Sequence, residues 1–127
     1  MRRSILPAHR GFTLVELLVV MAIVALLLSL AMPRFSHSVE RGRETVLRHD
    51  LRTMREALDR FHGDRARWPA SLEELIEQRY LRALPVDPVT DSAQTWRAVP
   101  APVGGGVQDV RSGSPAQALD GTPYAEW

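Results

Sequence analysis

The chain predicts an α+β protein built on one long N-terminal helix, and three observations carry that expectation. Residues 12–32 form an apolar run in which only Thr13, Glu16 and Ser29 are polar. Beyond it, Leu47, Leu51, Met54, Leu58 and Phe61 recur at intervals of four, three, four and three, which is one face of a helix. After residue 90, two short stretches with strand character flank a loop rich in Pro and Gly.

The apolar run comes first. Its 21 residues, at a rise of 1.5 Å each, would span about 30 Å, one bilayer crossing. Glu16 is the only ionisable side chain within it. A charge at hydrocarbon depth costs about 2.5–3.5 kcal/mol on insertion scales, so Glu16 needs a partner. Arg2, Arg3 and Arg10 precede the run, but Arg34, Arg41, Arg43 and Arg48 follow it, so the positive-inside count does not decide orientation alone. We expect the leader inside and the bulk of the chain outside.

Pro33 would ordinarily end a helix, yet helical periodicity resumes after it, which predicts a helix that continues, kinked or locally loosened. The apolar stripe would cover a domain core, a coiled-coil seam being the alternative. Gly63-Asp64 reads as the stop. Ser71-Leu72-Glu73-Glu74 has the pattern of a capping box, opening a short helix to Arg79 that buries Leu72, Leu75 and Ile76. In Leu84-Pro85-Val86-Asp87-Pro88 each proline lacks a donor and holds its predecessor extended, so this is a fixed loop. Residues 95–99 and 107–111 read as strands joined by the loop with Pro100, Pro102 and Gly104-Gly105-Gly106. The last sixteen residues read as an irregular tail closed by Tyr124 and Trp127.

Sixteen basic and fifteen acidic residues leave a formal net charge of +1. Without the residues before Phe12 the balance is thirteen arginines against fifteen acids, a net of −2, and the two signs are interleaved. No one-sided basic face exists to follow a phosphate backbone, so nucleic acid is not an expected partner. The chain has no cysteine, which removes disulfides, thiolate nucleophiles and cysteine metal sites. His9, His37, His49 and His62 form no pair at helical metal-site spacing, and Ser112-Gly113-Ser114 lacks a nucleophile elbow's context. Enzymatic function is not expected.

A short leader ending in Gly11, then Phe12-Thr13-Leu14-Val15-Glu16 and a continuous apolar span, resembles the class III signal of type IV pilins and type II secretion pseudopilins. The resemblance extends through Arg67-Trp68-Pro69, Tyr80, the Leu84 to Pro88 loop, Asp109-Val110-Arg111-Ser112-Gly113 and Trp127, and is greatest to the major pseudopilin of type II secretion. It implies a pilin-like fold and three segments: a leader (1–11), a transmembrane and assembly helix (12–32) and a periplasmic globular domain (33–127). A prepilin peptidase would cut after Gly11 and methylate the new Phe12 amine. Glu16, one helical turn on, could pair with that amine in its own subunit or a neighbour's, with Phe12, Thr13 and Pro33 contributing to assembly.

The partners implied are further copies of the chain, minor pseudopilins, the inner-membrane assembly platform, the secretin and the inner membrane itself. The family also binds calcium in a C-terminal loop rich in Asp and Gly. Calcium is thus the one cofactor the resemblance implies, and Asp120 with the Leu119 carbonyl is the best carry-over, although calcium takes six to eight oxygens and the segment from Ser114 to Trp127 offers only Asp120 and Glu126 as carboxylates. A turn at Asp120-Gly121 is the alternative.

Other readings remain open. A secretory signal peptide could be cut after Ser29-Leu30-Ala31, although a glutamate and so long an apolar region are atypical of one. The chain could also be a plain single-span anchor in which Glu16 snorkels toward the interface, a membrane-anchored periplasmic binding module, or a pilin of a type IV or competence system.

Overall fold

A computed structural model describes residues 11–127; leader residues 1–10, with Arg2, Arg3, His9 and Arg10, lie outside the described residues. Thr13 opens the first helix, α1 (Leu14–Arg65). Its Oγ1 accepts the Glu16 N–H at 3.1 Å, and its carbonyl accepts the Leu17 N–H at 3.1 Å, satisfying donors that a helix start leaves without partners. The helix passes through Pro33 unbroken. Proline has no N–H to give, so the ladder bond to the Ser29 carbonyl is missing there. The Ser29 and Ser36 hydroxyls donate to the carbonyls of Leu26 and Pro33, at 2.8 and 3.0 Å.

Two compact units divide the chain, Met1–His37 and Ser38–Trp127. In the first, residues 11–37 are exposed throughout, with no apolar side chain covered by the fold. In the second, α1 buries Leu47, Leu51, Met54, Ala57, Leu58 and Phe61, the expected stripe with Ala57 added. Against it pack Leu72 and Leu75 of α2 (Leu72–Glu77), Val107 and Val110 of β2 (Val107–Arg111), and Ala118 and Tyr124 of the tail. Strand β1 (Arg97–Pro100) pairs antiparallel with β2, placing Arg97 opposite Arg111 and Ala98 opposite Val110, with an irregularity between Val99 and Pro100. Proline tolerates that place because its missing donor is harmless at a bulge or edge. A 3-10 helix, Tyr124–Glu126, closes the tail.

Several boundaries differ from expectation. Helix α1 does not stop at Gly63-Asp64 but runs to Arg65, and the reversal falls at Ala66 with φ of 53°. Helix α2 ends at Glu77 rather than Arg79. Arg79, with φ of 63°, is the left-handed residue of a Schellman motif in which the Tyr80 N–H reaches the Leu75 carbonyl at 2.8 Å and the Arg79 N–H reaches that of Ile76 at 3.1 Å. Ile76 is only half-buried. The capping box does not form: Ser71 makes no side-chain cap, and Glu74 Oε2 reaches past it to accept the Ala70 N–H at 2.6 Å. The other attraction on Glu74 is Arg67, whose Nη2 donates to Oε1 at 2.6 Å. That guanidinium, ahead of the backbone bond, lowers the Glu74 pKa to about 2. The first strand starts two residues later than expected and includes Pro100.

The Leu84 to Pro88 loop is pinned at both ends. Trp96 Nε1 donates to the Pro85 carbonyl at 2.7 Å. Asp87 is fully buried, its Oδ1 accepting the Val89 N–H at 2.8 Å and its Oδ2 the Ser112 hydroxyl at 2.7 Å. Next to Ser112, Gly113 passes so close to Thr95 that a Cβ would lie 1.9 Å from the Thr95 carbonyl oxygen, so only glycine fits between these two backbones.

Candidate functional site

The residues that the resemblance singles out gather at the start of α1. Among the described residues nothing lies within 4 Å of a Cβ placed on Gly11, and Phe12 is 83% exposed. Thr13 is the N-cap and Glu16 lies in the first turn, where partial positive charge on free N–H groups favours a carboxylate. Thr13 thus acquires a physical role that reading the sequence for its apolar run had missed. The signal was present, since Thr13-Leu14-Val15-Glu16 has the S/T-x-x-E spacing of a capping box. Leu14, Val15, Leu17 and Leu18 around Glu16 are all more than half exposed. An apolar surface this continuous requires lipid or other helices to cover it. Pro33 stands within α1, outside this cluster.

The second candidate place is Asp120 with Leu119. Asp120 and Gly121 form a turn: the Gly121 N–H donates to the Ala118 carbonyl at 2.9 Å, and Gly121 has φ of 86°. Asp120 Oδ1 accepts both the Thr122 N–H at 2.9 Å and its hydroxyl at 2.6 Å. These Thr122 bonds, aided by the positive charge of Arg48, hold the Asp120 pKa below its ordinary value. Among the described residues no group of three or more His, Asp or Glu side chains comes together as a metal site. With one carboxylate whose Oδ1 is already engaged, the donor set around Asp120 does not fit a calcium ion.

Tyr124, also unremarked as a chemical group in the sequence, is buried with its hydroxyl donating to Glu44 Oε1 at 3.1 Å. Burial first, then that hydrogen bond, raises its pKa from 10.0 to about 12. The phenol stabilises the fold only while protonated, so its contribution is complete below pH 10.0 and is lost as pH rises towards 12. Alkaline titration of thermal stability is expected to show a loss across this window that Tyr124→Phe does not show.

A long helix carrying one acid at its exposed apolar start, joined to a short helix and a small antiparallel sheet, defines the pilin-like class. Residues 6–32 match the family model described as the prokaryotic N-terminal methylation motif. The chain is 31% identical over 94 residues to type II secretion system core protein G of Pseudomonas aeruginosa, covering 61% of this chain and 66% of that protein. To core protein G of Klebsiella michiganensis it is 31% identical over 104 residues, covering 69% and 71%. It is also 30% identical over 69 residues to the type IV major pilin protein PilA of Myxococcus xanthus, covering 54% and 31%. The chain belongs to the family of type II secretion system core protein G, the pseudopilins. It spans about two thirds of the length of the core protein G relatives it matches. No solved structure matches it.

Proposed function

We propose that the chain is a filament subunit of a type II secretion pseudopilus, made as a precursor and cut between Gly11 and Phe12 by a prepilin peptidase that also methylates the Phe12 amine. The observation that carries this reading is Glu16, a single carboxylate four residues after Phe12 in an otherwise apolar, exposed helix. Cleavage would create a cation one helical turn from that carboxylate. In an apolar bundle neither charge is tolerable unpaired, because stranding one partner of a buried pair costs about 3–5 kcal/mol. An incoming subunit's amine would therefore seek Glu16 of a subunit already in place, setting axial register.

In this reading residues 12–32 cross the inner membrane before assembly and stack between subunits afterwards, while residues 33–127 stand in the periplasm. Pro33, with its missing ladder bond, would let the helix unwind locally during stacking. Minor pseudopilins, the assembly platform and the secretin are the partners. A type IV or competence pilin is the second reading, favoured by the likeness to PilA; retraction of surface fibres in the host would favour it over secretion.

Intact-mass measurement and N-terminal sequencing of protein taken from membranes test the processing step. The expected species begins at Phe12 and carries one added methyl group. A chain beginning at Met1 would overturn the reading in favour of a plain anchor, and one beginning near residue 32 in favour of a secretory signal.

A further inference from the structure

Glu44, Arg48, Leu51 and Arg55 are spaced four, three and four along α1, so they share one face. That face holds the chain's last segment. Glu44 Oε1 accepts the Leu119 N–H at 2.6 Å and the Tyr124 hydroxyl at 3.1 Å. The Arg48 guanidinium lies over the Trp127 ring, 4.2 Å from its centre. Arg55 donates from Nε to Asp109 Oδ1 at 2.7 Å, and from Nη2 to the main-chain oxygens of Val110 and Trp127 at 2.9 and 2.8 Å. Leu51 is buried beneath them.

We infer that this row is a metal-independent clasp: Glu44, Arg48 and Arg55 hold residues 117–127 where relatives of this fold are expected to use calcium. The chemistry of the site favours side chains over an ion. The Leu119 backbone is tied to Glu44 through its N–H, and Asp120 Oδ1 already accepts two hydrogen bonds within its own turn. The groove beside them is lined by Arg48, Arg52 and Arg55 together with Glu56, Asp59, Asp120 and Glu126, yet among the described residues no three acids come together as a metal site. Glu44 does for the tail what a cation does for a carboxylate-rich loop, with the polarity reversed: the helix supplies the anion and the tail supplies the donors. Hydrogen bonds to a charged group are worth roughly twice neutral ones, which is why a single carboxylate can hold two parts of an irregular segment.

The clasp is independent of the filament reading, since it lies wholly within Ser38–Trp127 and its test involves no assembly. Full-length protein in detergent micelles is unfolded thermally in millimolar calcium chloride and in a calcium chelator. The midpoints are expected to agree within about 1 °C, because a ligand that does not bind the native state cannot shift its unfolding. In parallel, amide hydrogen exchange at Leu119 is compared between the wild type and Glu44→Leu. Exchange is expected to quicken about tenfold or more in the variant, as loss of a charge-assisted hydrogen bond predicts. Glu44→Gln keeps an acceptor of similar shape; should the leucine variant not fold, a severalfold acceleration at Leu119 in Glu44→Gln is the expected result. A midpoint that rises by several degrees with calcium overturns the inference, as does Leu119 exchange unchanged in whichever variant folds.

Discussion

Replacing Glu16 with leucine is expected to abolish filament assembly while leaving membrane insertion intact. The two effects separate because the carboxylate opposes one and serves the other. Insertion becomes easier by about 2.5–3.5 kcal/mol when a charge is removed from hydrocarbon depth. Assembly loses the counter-ion of the Phe12 amine, and a stranded buried charge costs about 3–5 kcal/mol, enough to lower an association constant by two to three orders of magnitude. Helix capping should survive, since Thr13 caps the main-chain N–H of residue 16 and not its side chain. The measurement is electron microscopy of filaments from cells overproducing the variant, with membrane fractionation alongside. Normal filaments from Glu16→Leu would remove the basis for electrostatic register. Glu16→Asp, which keeps the charge on a shorter stem, should restore assembly in part.

Truncating Phe61 to alanine should produce the largest loss of stability in the globular unit. The side chain is fully buried at the last turns of α1, with the Tyr80 ring edge-on at 5.2 Å and the guanidinium groups of Arg67 and Arg65 at 4.9 and 5.5 Å from its centre. It therefore joins α1 to the segments before and after α2. Phe→Ala in a core costs about 3–5 kcal/mol, from lost transfer energy and the cavity left behind. For a domain of this size each kcal/mol moves the melting midpoint by about 4–8 °C. A fall of more than about 12 °C is expected, read by circular dichroism of the full-length variant, and a fall under about 5 °C would show that the site collapses around the gap.

Much of the fold could be read from residue spacing because burial imposes it. The row from Leu47 to Phe61 follows from a core on one side of a helix, and the apolar span before Pro33 from an apolar environment on every side. The rest depended on contacts between distant residues. Gly63 signals a helix stop, but α1 runs past it and reverses at Ala66 instead, which no propensity announces. Arg79 serves as the left-handed residue of the Schellman motif where glycine is usual, so α2 was read two residues too long. Ser71 makes no cap, and the Glu74 carboxylate is engaged by Arg67 and the Ala70 N–H instead of by the Ser71 N–H. At the candidate sites the carboxylate in the apolar run was visible as an anomaly of charge. Glu44, Arg48 and Arg55 were not, because arginines and glutamates at helical spacing are ordinarily a solvated face. Only the returning tail makes them a set.

That returning tail has a consequence for the order in which the unit can form. Glu44 meets Leu119 and Tyr124 across 75 and 80 residues of chain, and Arg55 meets Trp127 across 72. Helices α1 and α2 and the β1–β2 hairpin can each arise from near neighbours, but these closures must wait until the whole intervening sequence is available, after its loop entropy has been overcome. Until then the apolar side of residues 47–61 lacks Ala118 and Tyr124 as cover. Until residues 117–127 dock on α1, the core of the globular unit therefore stays open along one side, and their docking is the step that closes it.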